Sequence, residues 1–221
     1  MGTMEIEKIK QIEERALRIA LERNGAKTNQ TVCRGRTPLE KHFMGAAGEL
    51  LVELVLGATM DFNAYGGKGD GSNVDGVLPD GRGVVCKSIG PGLDSVWVPK
   101  VCLLRAGLNS VVVAVRIGVA PKTENEPGHL SGDCSSSCNG LEMGELLYKS
   151  YGLKQLRGPN VRFRILEASL LGWMSVGEFL KVGRVSYKHL NLKESLPGKP
   201  LERDICLVVP IRRLRKFRDS N

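Results

Sequence analysis

The chain has 221 residues, 42% of them hydrophobic, and its 32 Lys and Arg against 24 Asp and Glu give a formal charge of +8. That is enough for one domain with its own core, and the basic excess favours an anionic partner, of which nucleic acid is the commonest. No apolar run reaches the roughly 20 residues that span a membrane; with a charged, unsignal-like N-terminus and six cysteines at irregular places, an intracellular, cytoplasmic protein is expected rather than a disulfide scaffold.

Ile6, Ile9, Ile12, Ala16, Ile19 and Ala20 recur at helical spacing with charges between them, and Gly25 supplies a stop. The pattern predicts an amphipathic helix from about Met4 to Asn24. Residues 26–36 are polar and basic and read as a loop. Thr37-Pro38-Leu39-Glu40 is a capping box with Pro at the first helical position, so a second helix should run to Leu56, where Gly57 ends it. Gly45, Ala46, Ala47 and Gly48 precede Glu49 on that helix. Small residues let another backbone approach, so this face is expected to be packed. Glu53 lies four residues on and shares the face of Glu49.

A short strand is expected over residues 59–65. Tyr65–Ser72 is a glycine-rich connection, not a P-loop, because the glycine spacing ahead of Lys68 is wrong and Gly69 follows it. Val74–Leu78 and Gly83–Lys87 flank Pro79-Asp80-Gly81-Arg82, which is a β-hairpin signature. Ser110–Ile117 reads as a buried strand. Residues 119–160 are rich in Gly, Ser, Pro and Asn and read as a long insertion, with one helix near 141–150. Val161–Glu167 alternates as a strand and leads into Ser169–Met174. Val176–Val182 is a short helix, Asp204–Val209 a last strand, and Pro210 opens a basic helix over 211–218. No internal repeat and no second domain are evident.

The hairpin brings Asp75 and Lys87 onto adjacent strands, where both can point to one face, and Glu49 can reach the same spot from the preceding helix. Two carboxylates suit a hard cation such as Mg²⁺ or Mn²⁺, and an ammonium suits a phosphate or an attacking water. Asp75 would bind the metal, with Glu49 supporting it directly or through water. Lys87 would orient or help deprotonate the water, or stabilise the charge that develops on phosphorus.

This arrangement resembles the PD-(D/E)XK nuclease superfamily, which includes restriction endonucleases, Holliday-junction resolvases and phage or repair exonucleases. The matching positions are Glu49 in Gly48-Glu-Leu-Leu-Val-Glu53, Asp75 in Val74-Asp-Gly, and Lys87 in Val85-Cys-Lys-Ser88; Leu171-Gly-Trp-Met-Ser175 resembles a strand-to-helix step of some phage-type members. The match covers roughly residues 38–118. It implies an α/β fold with a central mixed β-sheet flanked by helices. That core would occupy about 38–118 and 161–209 of a single domain, with the insertion after the fourth strand. It also implies a metal-dependent DNA endo- or exonuclease, and a homodimer if two strands are cut. The family's second acid falls at Val85, which cannot bind Mg²⁺, and Cys86 points to the other face, where a thiol suits softer metals. Three accounts stay open. The acid has migrated, to Glu53 first or Asp80 second; or the site works with fewer protein ligands, since Mg²⁺ keeps several waters; or catalysis is lost and binding remains.

Two basic clusters are candidate phosphate contacts. Arg34, Arg36 and Lys41 lie just before Glu49, and Arg212, Arg215 and Lys216 lie on the expected C-terminal helix. His129, Cys134 and Cys138, with His189 or Cys33 as a fourth ligand, would make a zinc site, but Cys-x₃-Cys is looser than the usual spacing; free thiols or a local disulfide are favoured there. The rival functions are an inactive DNA-binding relative, suggested by Val85, and a basic structural or assembly protein.

Overall fold

The computed structural model describes residues 6–26, 36–63, 74–122, 162–187 and 205–217. The 141–150 helix, the zinc candidates, Arg34 and most of the expected insertion lie outside them.

Helix α1 (Ile6–Gly25) and helix α2 (Pro38–Leu56) stack on one face of a five-stranded mixed sheet. Thr37 caps the helix as expected, its Oγ1 accepting the Glu40 N–H, and Gly57 closes it at φ 64°, a left-handed position that favours glycine. α2 is a core helix. Phe43, Ala46, Ala47 and Val52 are fully enclosed, because the helix is squeezed between α1 and the sheet. Gly48 marks the closest approach. A Cβ there would sit 2.0 Å from Ser88 Oγ on the sheet, so the small-residue run ahead of Glu49 is what lets α2 lie down on the strands.

From edge to edge the sheet runs Thr59–Met60, Gly76–Val77, Gly83–Ile89, Val111–Lys122 and Arg162–Ser175. β1 (Thr59–Met60) and β2 (Gly76–Val77) are two-residue strands, and β2 pairs antiparallel with β3 (Gly83–Ile89) through the expected turn. β3 pairs parallel with β5 (Val111–Lys122), and the crossover between them carries β4 (Ser95–Pro99) and helix α3 (Lys100–Ala106). A parallel pair requires such a crossover. β5 pairs antiparallel with β6 (Arg162–Ser175), which leads into helix α4 (Val176–Val182). A second sheet of β4, β8 (Ile205–Pro210) and β7 (Arg184–Tyr187) packs behind the first.

β5 explains the layering. Val111, Val113, Val115 and Ile117 face α1 and α2. Val112 and Ala114 face a second core with Val96, Val98, Leu103, Phe179 and Val209. A strand buried on both faces reads as a continuous apolar run, as Val111–Val115 does.

Several expectations are corrected. The α/β class and the mixed sheet flanked by helices are as expected, but a second, three-stranded sheet was not anticipated. The strand expected over 59–65 is only Thr59–Met60 among the described residues. β5 runs to Lys122, into the tract read as insertion, because β6 pairs with it as far as Arg162. β4 and α3 were not anticipated between the hairpin and β5. β6 is one 14-residue strand, with the expected strand-to-helix step at its end: Ser175 caps α4 by accepting the Glu178 N–H. Among the described residues, 211–217 do not form the expected basic helix over 211–218. Ile211–Arg213 make one 3₁₀ turn, after which Arg215 pairs back to back with the Trp173 backbone at 2.9 Å in both directions. Gly172 permits this approach, since a Cβ there would meet the Arg215 carbonyl at 2.6 Å. Those β bonds take the backbone groups a helix would use.

Candidate active site

The sheet splays at Asp75. Its backbone N–H still donates to Val84 O at 2.7 Å, but the next bond of the ladder is made by its side chain: Oδ2 accepts the Cys86 N–H at 2.7 Å. From Cys86 onward, the edge of β3 facing β2 is no longer covered by that strand. A cleft of about 480 Å³ opens there, between β3, the first half of α2 and the end of α1.

Glu49, Asp75 and Lys87 all line this cleft, with Arg23, Arg36, Lys41 and Ser88 around them. Lys87 Nζ is 3.8 Å from Asp75 Oδ2. Burial pulls the Lys87 ammonium down, but the charge of Asp75, with Cys102, Cys86 and Glu49, outweighs it, so the group sits above its ordinary pKa. A raised pKa favours the charged ammonium, the form that orients and stabilises negative charge. Burial also pushes Glu49 above the usual carboxylate range; Asp75 adds to this, while Arg23 and Lys87 oppose it. The Cys86 thiol is pushed well up by burial and by Glu49 and Asp75, so it is no thiolate ligand.

Arg23 was not anticipated. Its guanidinium grips Glu49 in a fork, Nη1 to Oε1 at 3.0 Å and Nη2 to Oε2 at 2.8 Å, with Nη2 also 3.4 Å from the Asp61 carbonyl. Both side chains are mostly enclosed, at 15% and 12% exposure. In the sequence Arg23 is one of several charges on an amphipathic helix, and nothing local says which of them turns inward. Position in the last turn of α1 is the one signal, since that end of the helix abuts the cleft.

The other expected residues fall in different places. Glu53 is paired with Arg15 of α1 at 2.5 Å and does not line the cleft. The face it shares with Glu49 is the one that α1 covers. Asp80 sits in the hairpin turn, bound to Arg82, at a recess with Trp173 rather than in the cleft. Val85 is 3% exposed and packs in the second core with Val96, Val98 and Val112, while Cys86, expected on the face away from the site, lines the cleft and packs under α2. Arg36 pairs with Glu40 at 3.4 Å and lies against Gly90 at the end of β3. Arg212 lines a neighbouring recess with Arg116 that shares Leu93 with the cleft. Arg215 is spent on Glu178 at 2.5 Å and on the Trp173 ring, and Lys216 donates to the Leu171 carbonyl at 3.2 Å. Arg36 and Lys41 thus stand in the cleft, and Arg215 and Lys216 stand outside it.

Among the described residues no group of three or more His, Cys, Asp or Glu side chains is placed to hold a metal. Glu49 and Asp75 nevertheless present hard carboxylate oxygens to one cleft, and Mg²⁺ is commonly held by one or two carboxylates with water completing its shell. Asp75 is the more exposed of the two, at 37% against 12% for Glu49, and both oxygens of Glu49 are held by Arg23. No helix among the described residues is long and apolar enough to cross a membrane. Comparison with protein-family models, with curated proteins and with solved structures finds no match.

Proposed function

We propose that this chain is a metal-dependent phosphodiesterase acting on DNA, built on a restriction-endonuclease-like core and related to the PD-(D/E)XK nucleases. The observation that carries the reading is the meeting of Glu49, Asp75 and Lys87 in one cleft walled by Arg36 and Lys41. Carboxylates beside several cations suit a phosphodiester: the cations attract the backbone, and the carboxylates hold an ion against it. The topology is compatible, with an acid-bearing helix followed by an antiparallel hairpin and a parallel crossover partner.

In this reading Asp75 and Glu49 hold one Mg²⁺ or Mn²⁺. When bound, that ion supplies Lewis-acid charge to the phosphate and acidifies a coordinated water. The chain's own groups do the rest. Arg36 and Lys41 bind phosphates along the cleft and orient the backbone. Lys87, charged and fixed against Asp75, places its ammonium where negative charge accumulates as the phosphodiester is attacked. The Asp75–Cys86 bond holds the carboxylate in place relative to Lys87. Val85 faces the second core, so the single-ion account with fewer protein ligands is the one preferred; migration to Glu53 is not, because Glu53 is held by Arg15 outside the cleft.

The test is cleavage of plasmid, single-stranded and branched DNA with Mg²⁺ or Mn²⁺, by the wild type and by Asp75→Asn. Metal-dependent cleavage abolished in the variant supports the reading. The engagement of Glu49 by Arg23 favours a second one, a nuclease-fold protein that binds DNA without cutting it. Salt-sensitive DNA binding with no cleavage by either protein would select it. Neither binding nor cleavage would leave a basic structural or assembly protein. Assembly as a homodimer and an intracellular setting belong to the same proposal; sedimentation with and without DNA tests the former.

A further inference from the structure

Arg23 holds Glu49 by both carboxylate oxygens, and it does so inside the cleft that the proposed function requires a cation to enter. A guanidinium fork fits a carboxylate and a phosphate equally well, by the same pair of parallel N–H bonds. Around it stand the carboxylates of Glu49 and Asp75 and the neutral backbone carbonyl of Asp61 as acceptors, and Arg36, Lys41 and Lys87 as cations. The group therefore has two available partners of one chemistry, an internal carboxylate and an entering backbone phosphate. The Nη1/Nη2 fork that now holds Glu49 can serve only one of them at a time.

We propose that Arg23 is a substrate-released latch on Glu49: a nucleic-acid phosphate entering the cleft draws the guanidinium off the carboxylate and frees Glu49 for the divalent cation. This rests on the nuclease reading and adds its regulation. Without nucleic acid, cation and Arg23 compete for Glu49, and the ion is held weakly, through Asp75. With a phosphate in place, Arg23 contacts substrate and the ion gains its second carboxylate. DNA and metal then bind with positive coupling, and by linkage each raises the affinity of the other by the same factor. The latch restricts a hydrolytic ion to the loaded cleft.

The experiment measures Mn²⁺ affinity by EPR. Wild type, Arg23→Gln, Arg23→Lys and Asp75→Asn are compared, each with and without a duplex whose phosphorothioate linkages resist hydrolysis. Circular dichroism checks that each is folded. The wild type should bind Mn²⁺ at least about tenfold more tightly with duplex, because a charge-assisted bidentate pair no longer has to be broken by the ion. Arg23→Gln should bind tightly without duplex and gain little from it. Arg23→Lys keeps the charge but not the fork, so it should already be tighter than wild type without duplex. Should Arg23→Gln misfold, the Lys variant and the wild-type coupling carry the test. Equal Mn²⁺ affinity in wild type and Arg23→Lys, with no effect of duplex and with binding lost in Asp75→Asn, overturns the latch and leaves the cation site standing. Mn²⁺ binding by none of the proteins, with or without duplex, overturns the latch and the nuclease reading together.

Discussion

Oδ2 of Asp75 stands 3.8 Å from Nζ of Lys87 while accepting the N–H of Cys86, the residue before Lys87 in β3, at 2.7 Å. One oxygen thus ends the β2–β3 ladder and sets the ion pair. The two functions can be separated. Asp75→Asn keeps an acceptor for Cys86 but removes the charge; Asp75→Ala removes both. Cleavage should fall by roughly 10²–10³-fold in Asp75→Asn and in Lys87→Met, as when a preorganised electrostatic group is deleted. The thermal midpoint should drop further in Asp75→Ala than in Asp75→Asn. Near wild-type cleavage by Asp75→Asn would remove the cleft from consideration as the catalytic site.

Val85 tests the degraded-site idea from the other side. Val85→Glu places a carboxylate among Val96, Val98 and Val112 rather than in the cleft. An unpaired buried charge costs on the order of 3 kcal/mol or more, which for a chain of this size lowers the melting midpoint by roughly 10 °C. A restored acid would instead raise cleavage with little loss of stability, and that outcome would place the Val85 position at the metal.

Glu53→Gln should leave cleavage within about twofold of wild type. Its partner Arg15 is 42% exposed, and exposed ion pairs are worth roughly 0–1 kcal/mol, so stability should hardly change either. Loss of cleavage comparable to that of Asp75→Asn would revive Glu53 as the migrated acid.

Glu49 gives the pH dependence. Its folded pKa lies above 4.5 because burial disfavours the carboxylate. The sign follows from proton linkage: the folded state binds the Glu49 proton more tightly than the unfolded state does. The stabilisation this brings is fully present below about pH 4.5 and is lost as pH rises through the raised pKa. Wild type should therefore gain stability relative to Glu49→Gln on acidification through that window. Carboxyl ¹³C shifts should show Glu49 titrating above the other glutamates, and Mn²⁺ binding should weaken on acidification before those glutamates protonate. A Glu49 that titrates below pH 4.5 would mean that Arg23 outweighs burial.

DNA binding should weaken with salt at a log–log slope of about −0.9 per neutralised phosphate. Charge reversal of Arg36 and Lys41 together should flatten the slope by roughly 2 units if both touch phosphate. Reversal of Arg215 and Lys216 should leave it nearly unchanged, since these are engaged by Glu178 and the Leu171 carbonyl outside the cleft. The opposite pattern would move the DNA surface to the C-terminal segment.

The local elements were legible along the chain, because short-range rules suffice for them. A capping box and a left-handed glycine bound α2, the small-residue run permits its close packing at Gly48, and the Pro79–Arg82 turn pairs β2 with β3. The order of Glu49, Asp75 and Lys87 along helix and hairpin was legible for the same reason. Which charges turn inward and which strands meet depended instead on long-range packing. Arg23 and Arg15 are indistinguishable on the surface of an isolated helix; packing α1 on α2 sets one against Glu49 in the cleft and the other against Glu53 outside it. A run of arginines after Pro210 satisfies every local preference for a helix, yet Gly172 admits the Arg215 backbone to Trp173 and the segment is held as an extended bridge. Residues far apart in the chain settle such outcomes, and a window along the sequence holds only one side of each contact.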